Sequence, residues 1–310
     1  MAHNSPALAT WLGGLEILSP IRAGKLQVFG LRHPSASSLA YLTLDEALKT
    51  GVFDITEVSD GGNVPTLKVS NKSGTLVFLM AGEELVGAKQ NRVLNVSIMV
   101  AAGSDLAVPV SCVEAGRWRY TSDKFSSAGT SAHAKLRAKM SLKAKSFYRS
   151  AGRPLSDQAE VWDEVDSKLQ GMRSCSPSRA LHQVYEDHDR VLKDLYDVSA
   201  PEGSHGAVFC LGGGVVGIDV FDKPSTLAKL WPKVLRSYAI DALEAPDGMP
   251  EVTLDGVKAW LGKVLEARTE RYDSPGLGED LRFDSGDLGG GGLVVDGQPV
   301  HAEVFPAVQP

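Results

Sequence analysis

The sequence predicts an α+β fold: a β-rich, sandwich- or barrel-like N-terminal part, a helical middle, and C-terminal hairpins and helices packed back on it. Three observations predict it. Short β-branched runs bounded by glycine turns fill residues 15–125, apolar residues recur at helical spacing over 131–198, and paired runs with tight turns return over 205–306. At 310 residues with 43% hydrophobic content, the chain can bury a full core, and we read residues 15–310 as a single α+β domain.

Residues 15–31 read as strand, turn and strand. A short helix follows Tyr41 and Leu42, with Thr43 as N-cap, Glu46 three residues on as its capping-box partner, and Gly51 at the left-handed stop. Strands at 55–58, 65–69 and 75–80 are separated by turns at 60–63 and 71–74. Two more, at 93–100 and 106–110, are expected to be neighbours in a sheet.

The helix expected over 131–150 carries Lys135, Arg137, Lys139, Lys143, Lys145 and Arg149 with no acidic residue. A solvated face is the commoner meaning, with an anionic partner or a mobile excursion as alternatives. Helices over 156–171 and 178–198 show apolar stripes. His188 lies on the second stripe, as a hydrogen-bonded core histidine rather than a ligand. Runs at 206–211 and 215–221 form a hairpin through three glycines; the Lys-Ser/Thr pair of a phosphate loop is missing. A helix opens at Pro224, and Pro232 is expected to kink or restart it. Another helix covers 255–267. The glycines at 289–292 read as a flexible bend, and Asp296-Gly297 as a tight hairpin turn.

The formal net charge of -6 argues against a general nucleic-acid binder. No apolar run reaches the length of a membrane span, and residues 1–20 lack the basic start and apolar centre of a secretion signal, so a cytoplasmic location is expected. Cys112, Cys175 and Cys210 are odd in number and form no CxxC, which supports neither a disulfide framework nor a zinc ribbon.

Polar chemistry concentrates over residues 80–120. Glu83, Glu84, Lys89, Gln90, Asn91 and Arg92 precede one strand, and Ser111, Cys112, Glu114, Arg117, Trp118, Arg119 and Tyr120 follow the other. If the strands pair, carboxylates, amides and guanidinium groups meet at one sheet edge. On a strand, Trp118 and Tyr120 would face away from Arg117 and Arg119. The plainer reading is that such residues satisfy turn backbone. Asp219 and Asp222 form a second candidate at a strand end before a helix, where one of them can serve as a cap.

The motifs GEELVGAKQNR at 82–92, PVSCVEAGRWRY at 109–120, VGIDVFD at 216–222 and LRSYAIDAL at 235–243 resemble the ARG and rhodanese-phosphatase-superfamily-associated protein domain family, over about residues 15–305. The resemblance implies association with ADP-ribosylglycohydrolases and phosphatase-like proteins, hence a place in NAD or ADP-ribose metabolism. It carries a site onto Glu83, Glu84, Gln90, Asn91, Arg92, Cys112, Glu114, Arg117, Trp118, Asp219 and Asp222, and no mechanism.

The expected function is a hydrolase of a nucleotide-like or ADP-ribose-like, phosphate-bearing small molecule. Glu84 or Glu114 would be general acid or base, Arg92 and Arg117 would hold phosphate or carboxylate, and Trp118 would stack on a ring. Cys112 as nucleophile is a second enzymatic reading, set against a small buried residue. A metal held by Asp219, Asp222 and a glutamate is a variant, and the residues name no cofactor. A ligand-sensing module without turnover and a structural subunit are the alternatives outside catalysis.

Overall fold

The computed structural model describes residues 6–195 and 197–307. Its first part runs α1 (Pro6–Gly13), β1 (Glu16–Ala23), β2 (Leu26–Arg32), β3 (Tyr41–Thr43), α2 (Leu44–Lys49), β4 (Phe53–Glu57), β5 (Thr66–Asn71), β6 (Leu76–Leu79), β7 (Glu83–Gly87), β8 (Arg92–Leu94), β9 (Ile98–Val100), β10 (Ser104–Cys112) and β11 (Phe125–Ser131). The helical middle holds α3 (Ala134–Ala151), α4 (Gln158–Gly171), α5 (His182–Asp187) and α6 (Asp189–Lys193). The last part is β12 (Gly206–Leu211), β13 (Gly214–Phe221), α7 (Pro224–Ala242), α8 (Leu254–Glu266), β14 (Arg268–Asp273), β15 (Glu279–Asp284), β16 (Leu288–Val295) and β17 (Gln298–Pro306). This is the predicted α+β order. None of these helices is long and apolar enough to cross a membrane.

An eight-stranded antiparallel sheet, ordered β1-β2-β12-β13-β17-β16-β15-β14, is the largest layer. The first hairpin therefore leaves the front of the chain and joins the C-terminal strands. Successive residues of this sheet feed different cores, as the two-residue period of a strand requires. Val28, Phe209 and Phe221 join a cluster with Leu136 of α3 and Leu230, Val234 and Tyr238 of α7. Phe29, Val208 and Val220 join a second, with Leu8 and Leu12 of α1 and Val257 and Val264 of α8. The middle of the sheet is thus covered on both faces, which explains why central strands such as β2 and β12 read as nearly continuous apolar runs.

The front of the chain forms a six-stranded sheet, β11-β7-β8-β10-β5-β4, and a three-stranded one, β3-β6-β9. A third cluster lies between them and includes Ile55, Val69, Val77, Leu94, Ile98 and Val108. The run expected as one strand over 93–100 is two: β8 pairs with β10, β9 with β6. Asn95 to Ser97 makes the change of sheet, held by the Asn95 amide donating to Pro154 O at 3.0 Å. The pairing expected between the two polar-flanked strands is present, with Cys112 opposite Arg92.

Four other expectations are corrected. The basic helix is neither a solvated face nor an excursion. Leu136, Ala138, Met140, Ala144 and Tyr148 of α3 are buried, and its cations meet carboxylates from remote segments: Arg137 meets Asp219 and Glu303, Lys139 meets Glu164, and Lys145 meets Asp284. The helix expected over 178–198 breaks at His188 into α5 and α6, because its apolar stripe does not continue: Val191 is exposed and only Leu192 of α6 is buried. His188 Nδ1 bonds Val184 O at 2.9 Å. Pro232 does not restart the helix, which runs unbroken from Pro224 to Ala242. It sits on the exposed side of α7, where losing one hydrogen bond is offset by the buried side chains around it.

The glycines at 289–292 are not a bend. They form the middle of β16, buried throughout. A Cβ on Gly289 would sit 2.8 Å from Leu142 Cγ, and one on Gly292 3.0 Å from Leu8 Cδ2, so both neighbouring helices approach this strand at van der Waals range. A Cβ on Gly290 would collide with Glu303 O and sit 2.9 Å from Val304 Cα, both backbone atoms that cannot step aside. Gly290→Ala is expected to destabilise the protein by about 1–3 kcal/mol or more. A lowered urea midpoint with an unchanged slope would show it; an unchanged midpoint would mean that the sheet yields.

Candidate functional site

The polar stretch over 80–120 does converge, but into a knot rather than an open hollow. Glu114, at the end of β10, has every oxygen engaged. Its Oε2 accepts from the Asn91 amide at 3.0 Å and from Arg117 Nη2 at 2.6 Å, and its Oε1 accepts from Ser178 Oγ at 2.7 Å. Its carbonyl accepts from Gln90 Nε2 at 2.9 Å. Burial raises its carboxyl, and the bonds from Arg117, Ser178 and the Asn91 amide outweigh it, holding the group below its ordinary value. Arg117 is spent in the same way, donating to Ala88 O at 2.6 Å, Gly87 O at 3.2 Å and Asn91 Oδ1 at 3.0 Å.

Cys112 is sealed inside this knot. Its Sγ donates to Gln90 Oε1 at 2.9 Å, its backbone is clamped by the Gln158 amide of α4, and burial pushes the thiol up from its ordinary value. A nucleophilic cysteine needs the opposite environment. Arg92 is wholly buried; Nη1 bonds Gln90 Oε1 at 3.0 Å, while Nη2 lies 3.8 Å from Glu57. Residues 117–120 are irregular and not a strand, so the expected alternation of aromatic and guanidinium faces is absent. Trp118 is 48% exposed and lies over Lys89 and Arg92.

Neighbouring strand positions send Glu83 and Glu84 to opposite sides of β7. Glu83 Oε1 accepts from Lys233 Nζ of α7 at 2.6 Å and Oε2 from the Met80 amide at 2.8 Å; burial raises its carboxyl. Asp219 lies elsewhere, at the centre of the molecule. It binds Arg137, Tyr238 Oη at 2.8 Å and His301 Nε2 at 3.3 Å, and Arg137 and His301 overcome burial to hold it below its ordinary value. Asp222 takes a different set, with Tyr41 donating to Oδ1, and burial raises its carboxyl. Asp219 and Asp222 therefore do not build one site, and among the described residues no three His, Cys, Asp or Glu side chains come together to hold a metal.

Glu84 is the residue of the set whose hydrogen-bond partners line a cleft. The carboxylate is buried; Oε2 accepts from Thr130 Oγ1 at 2.8 Å and from His182 Nδ1 at 3.3 Å, while Oε1 has no hydrogen-bond partner among the described residues. Thr130 and His182 line a cleft of about 380 Å³ together with Tyr185, Glu186, Asp189 and Arg236. The hydrogen bond that His182 donates to Glu84 raises the imidazole above its ordinary value, against the opposing effect of burial. The imidazole Nε2 lies 3.8 Å from Glu186 one turn on.

The knot explains how this pair is held. Ser178 docks on Glu114, Gly116 N donates to Ser178 O at 2.8 Å, and Leu181 N donates to Val113 O at 2.9 Å. The segment leading into α5 is thereby stitched to the end of β10, one residue before His182. Nothing in the local sequence marks Thr130 or joins either residue to Glu84, which is 98 residues from His182 and 46 from Thr130. The i, i+4 spacing of His182 and Glu186 was the only local signal.

No curated protein and no solved structure matches the chain. A family model does, over residues 14–305, nearly its whole length. The four quoted motifs all fall inside that match, and the chain belongs to the family of the ARG and Rhodanese-Phosphatase-superfamily-associated Protein domain.

Proposed function

We propose that the chain is a hydrolase of a nucleotide-like or ADP-ribose-like small molecule, with Glu84 and His182 as its acid–base pair. The observation that carries this is the Glu84 carboxylate: buried, with one oxygen tied to two residues of the cleft wall and the other unpartnered among the described residues. Such an oxygen can accept a proton from water as the water attacks. The raised imidazole beside it can give a proton to the leaving group, so one proton enters Glu84 as another leaves His182. Arg236, on the same wall, supplies charge for a phosphate. Glu114, Arg117 and Ser178 position this pair and touch no substrate. The family's association with ARG and rhodanese-phosphatase proteins favours the ADP-ribose class.

The test is to incubate the pure chain with NAD, ADP-ribose and an ADP-ribosylated peptide and to separate the products. Turnover of one of them is expected, falling as pH rises past the raised His182 pKa. Binding without turnover would overturn the hydrolase and leave a ligand-sensing module.

A further inference from the structure

Under Trp118 lie four buried polar atoms that the fold leaves without hydrogen bonds among the described residues: Arg92 Nε and Nη2, and both carboxylate oxygens of Glu57. Both side chains are almost wholly inaccessible, and their nearest approach, 3.8 Å from Arg92 Nη2 to Glu57 Oε1, is too long for a hydrogen bond. Buried donors and acceptors are nearly always satisfied, so an open pair calls for an occupant. The donors left open are one whole fork of the guanidinium, the side that binds planar groups through two parallel bonds.

The cover over this pair is unusual in its own right. Trp118 and Tyr120 are 48% and 46% exposed, and Lys89 Nζ lies 5.3 Å and 5.0 Å from their ring centroids. The indole also covers the Arg92 guanidinium, with Cζ 5.7 Å from the ring centroid. Trp118 stands on a segment without helix or strand, and a ligand at this pair would need its side chain to swing aside.

We propose that the Glu57–Arg92 pair beneath Trp118 binds a flat ring whose edge carries a hydrogen-bond donor beside an acceptor, as a nucleobase or a ring carboxamide does. Arg92 donates to the acceptor, Glu57 accepts from the donor, and Trp118 closes on the ring face. Lys89 is placed to meet an anionic substituent. This deepens the reading of a nucleotide-like ligand and rests on it for the choice of probes. It concerns binding alone, so either can fail without the other.

The experiment titrates the full chain with adenosine, guanosine and nicotinamide, following indole fluorescence and binding heat. Saturable binding is expected; nucleosides alone would assign a nucleobase, and nicotinamide alone a carboxamide. Purine riboside, which lacks the exocyclic donor, is expected to bind about tenfold more weakly than adenosine. Trp118→Ala, which removes an exposed side chain, and Glu57→Gln, checked for folding by circular dichroism, are each expected to weaken binding by about tenfold or more. Absence of binding by all three probes, or binding unchanged in both variants, would overturn the proposal and leave ordered water as the occupant.

Discussion

Arg137→Met is expected to cost about 3–5 kcal/mol of stability, a large share of the roughly 5–15 kcal/mol that holds a typical domain together. Arg137 projects from α3 into the face of the eight-stranded sheet, 5.2 Å above the Phe305 ring. Its Nη1 donates to Asp219 Oδ2 at 3.1 Å and its Nη2 to Glu303 Oε2 at 2.7 Å, with a further contact from Nη2 to Asp219 Oδ1. One cation therefore serves two buried carboxylates on neighbouring strands, β13 and β17, whose Asp219 and Glu303 are direct partners in register. Methionine keeps most of the volume and removes the charge. What is lost is then not packing but compensation of two anions that water cannot reach. Adding Asp219→Asn and Glu303→Gln to the variant is expected to restore most of the lost urea midpoint. A single variant as stable as the parent, or a triple variant no better than the single, would mean that the network is not held by charge.

Glu84→Gln is expected to lower turnover by about 10²- to 10⁴-fold, the range for losing a positioned acid or base. The amide still fills the space and can still accept from Thr130 through its oxygen, so folding and ligand affinity are expected to survive. Proton acceptance at Oε1 is what disappears. Glu114→Gln gives the contrast: every Glu114 oxygen is bound to protein, so its loss acts on the position of the segment before α5 and on stability. A turnover defect larger in Glu114→Gln than in Glu84→Gln, with both variants folded, would move the chemistry to the knot.

The strand and helix order was legible because its signals are local: period-two runs, the Thr43–Glu46 box, and the Asp296-Gly297 turn, whose φ values of 49° and 73° suit a primed hairpin. The polar stretch over 80–120 was legible as a cluster, since Cys112 and Arg92 do face each other. Its role was not, because a carboxylate bound to a backbone amide and one open to a cleft look alike as letters. Arg137 read as one of several surface cations, for its partners lie 82 and 166 residues away. The glycines of β16 misled for a related reason: glycine marks both bends and close approaches, and only the packed neighbours Leu142 and Leu8 tell them apart.

The pairing of Glu84 with His182 carries the functional reading, and an NMR titration of the His182 imidazole tests it most directly. In the parent protein the midpoint is expected above the ordinary value of 6.5, because the neighbouring carboxylate favours the charged ring, and in Glu84→Gln it is expected to fall. A midpoint at or below the ordinary value in the parent, or one that Glu84→Gln leaves in place, would show that the two side chains do not act on each other.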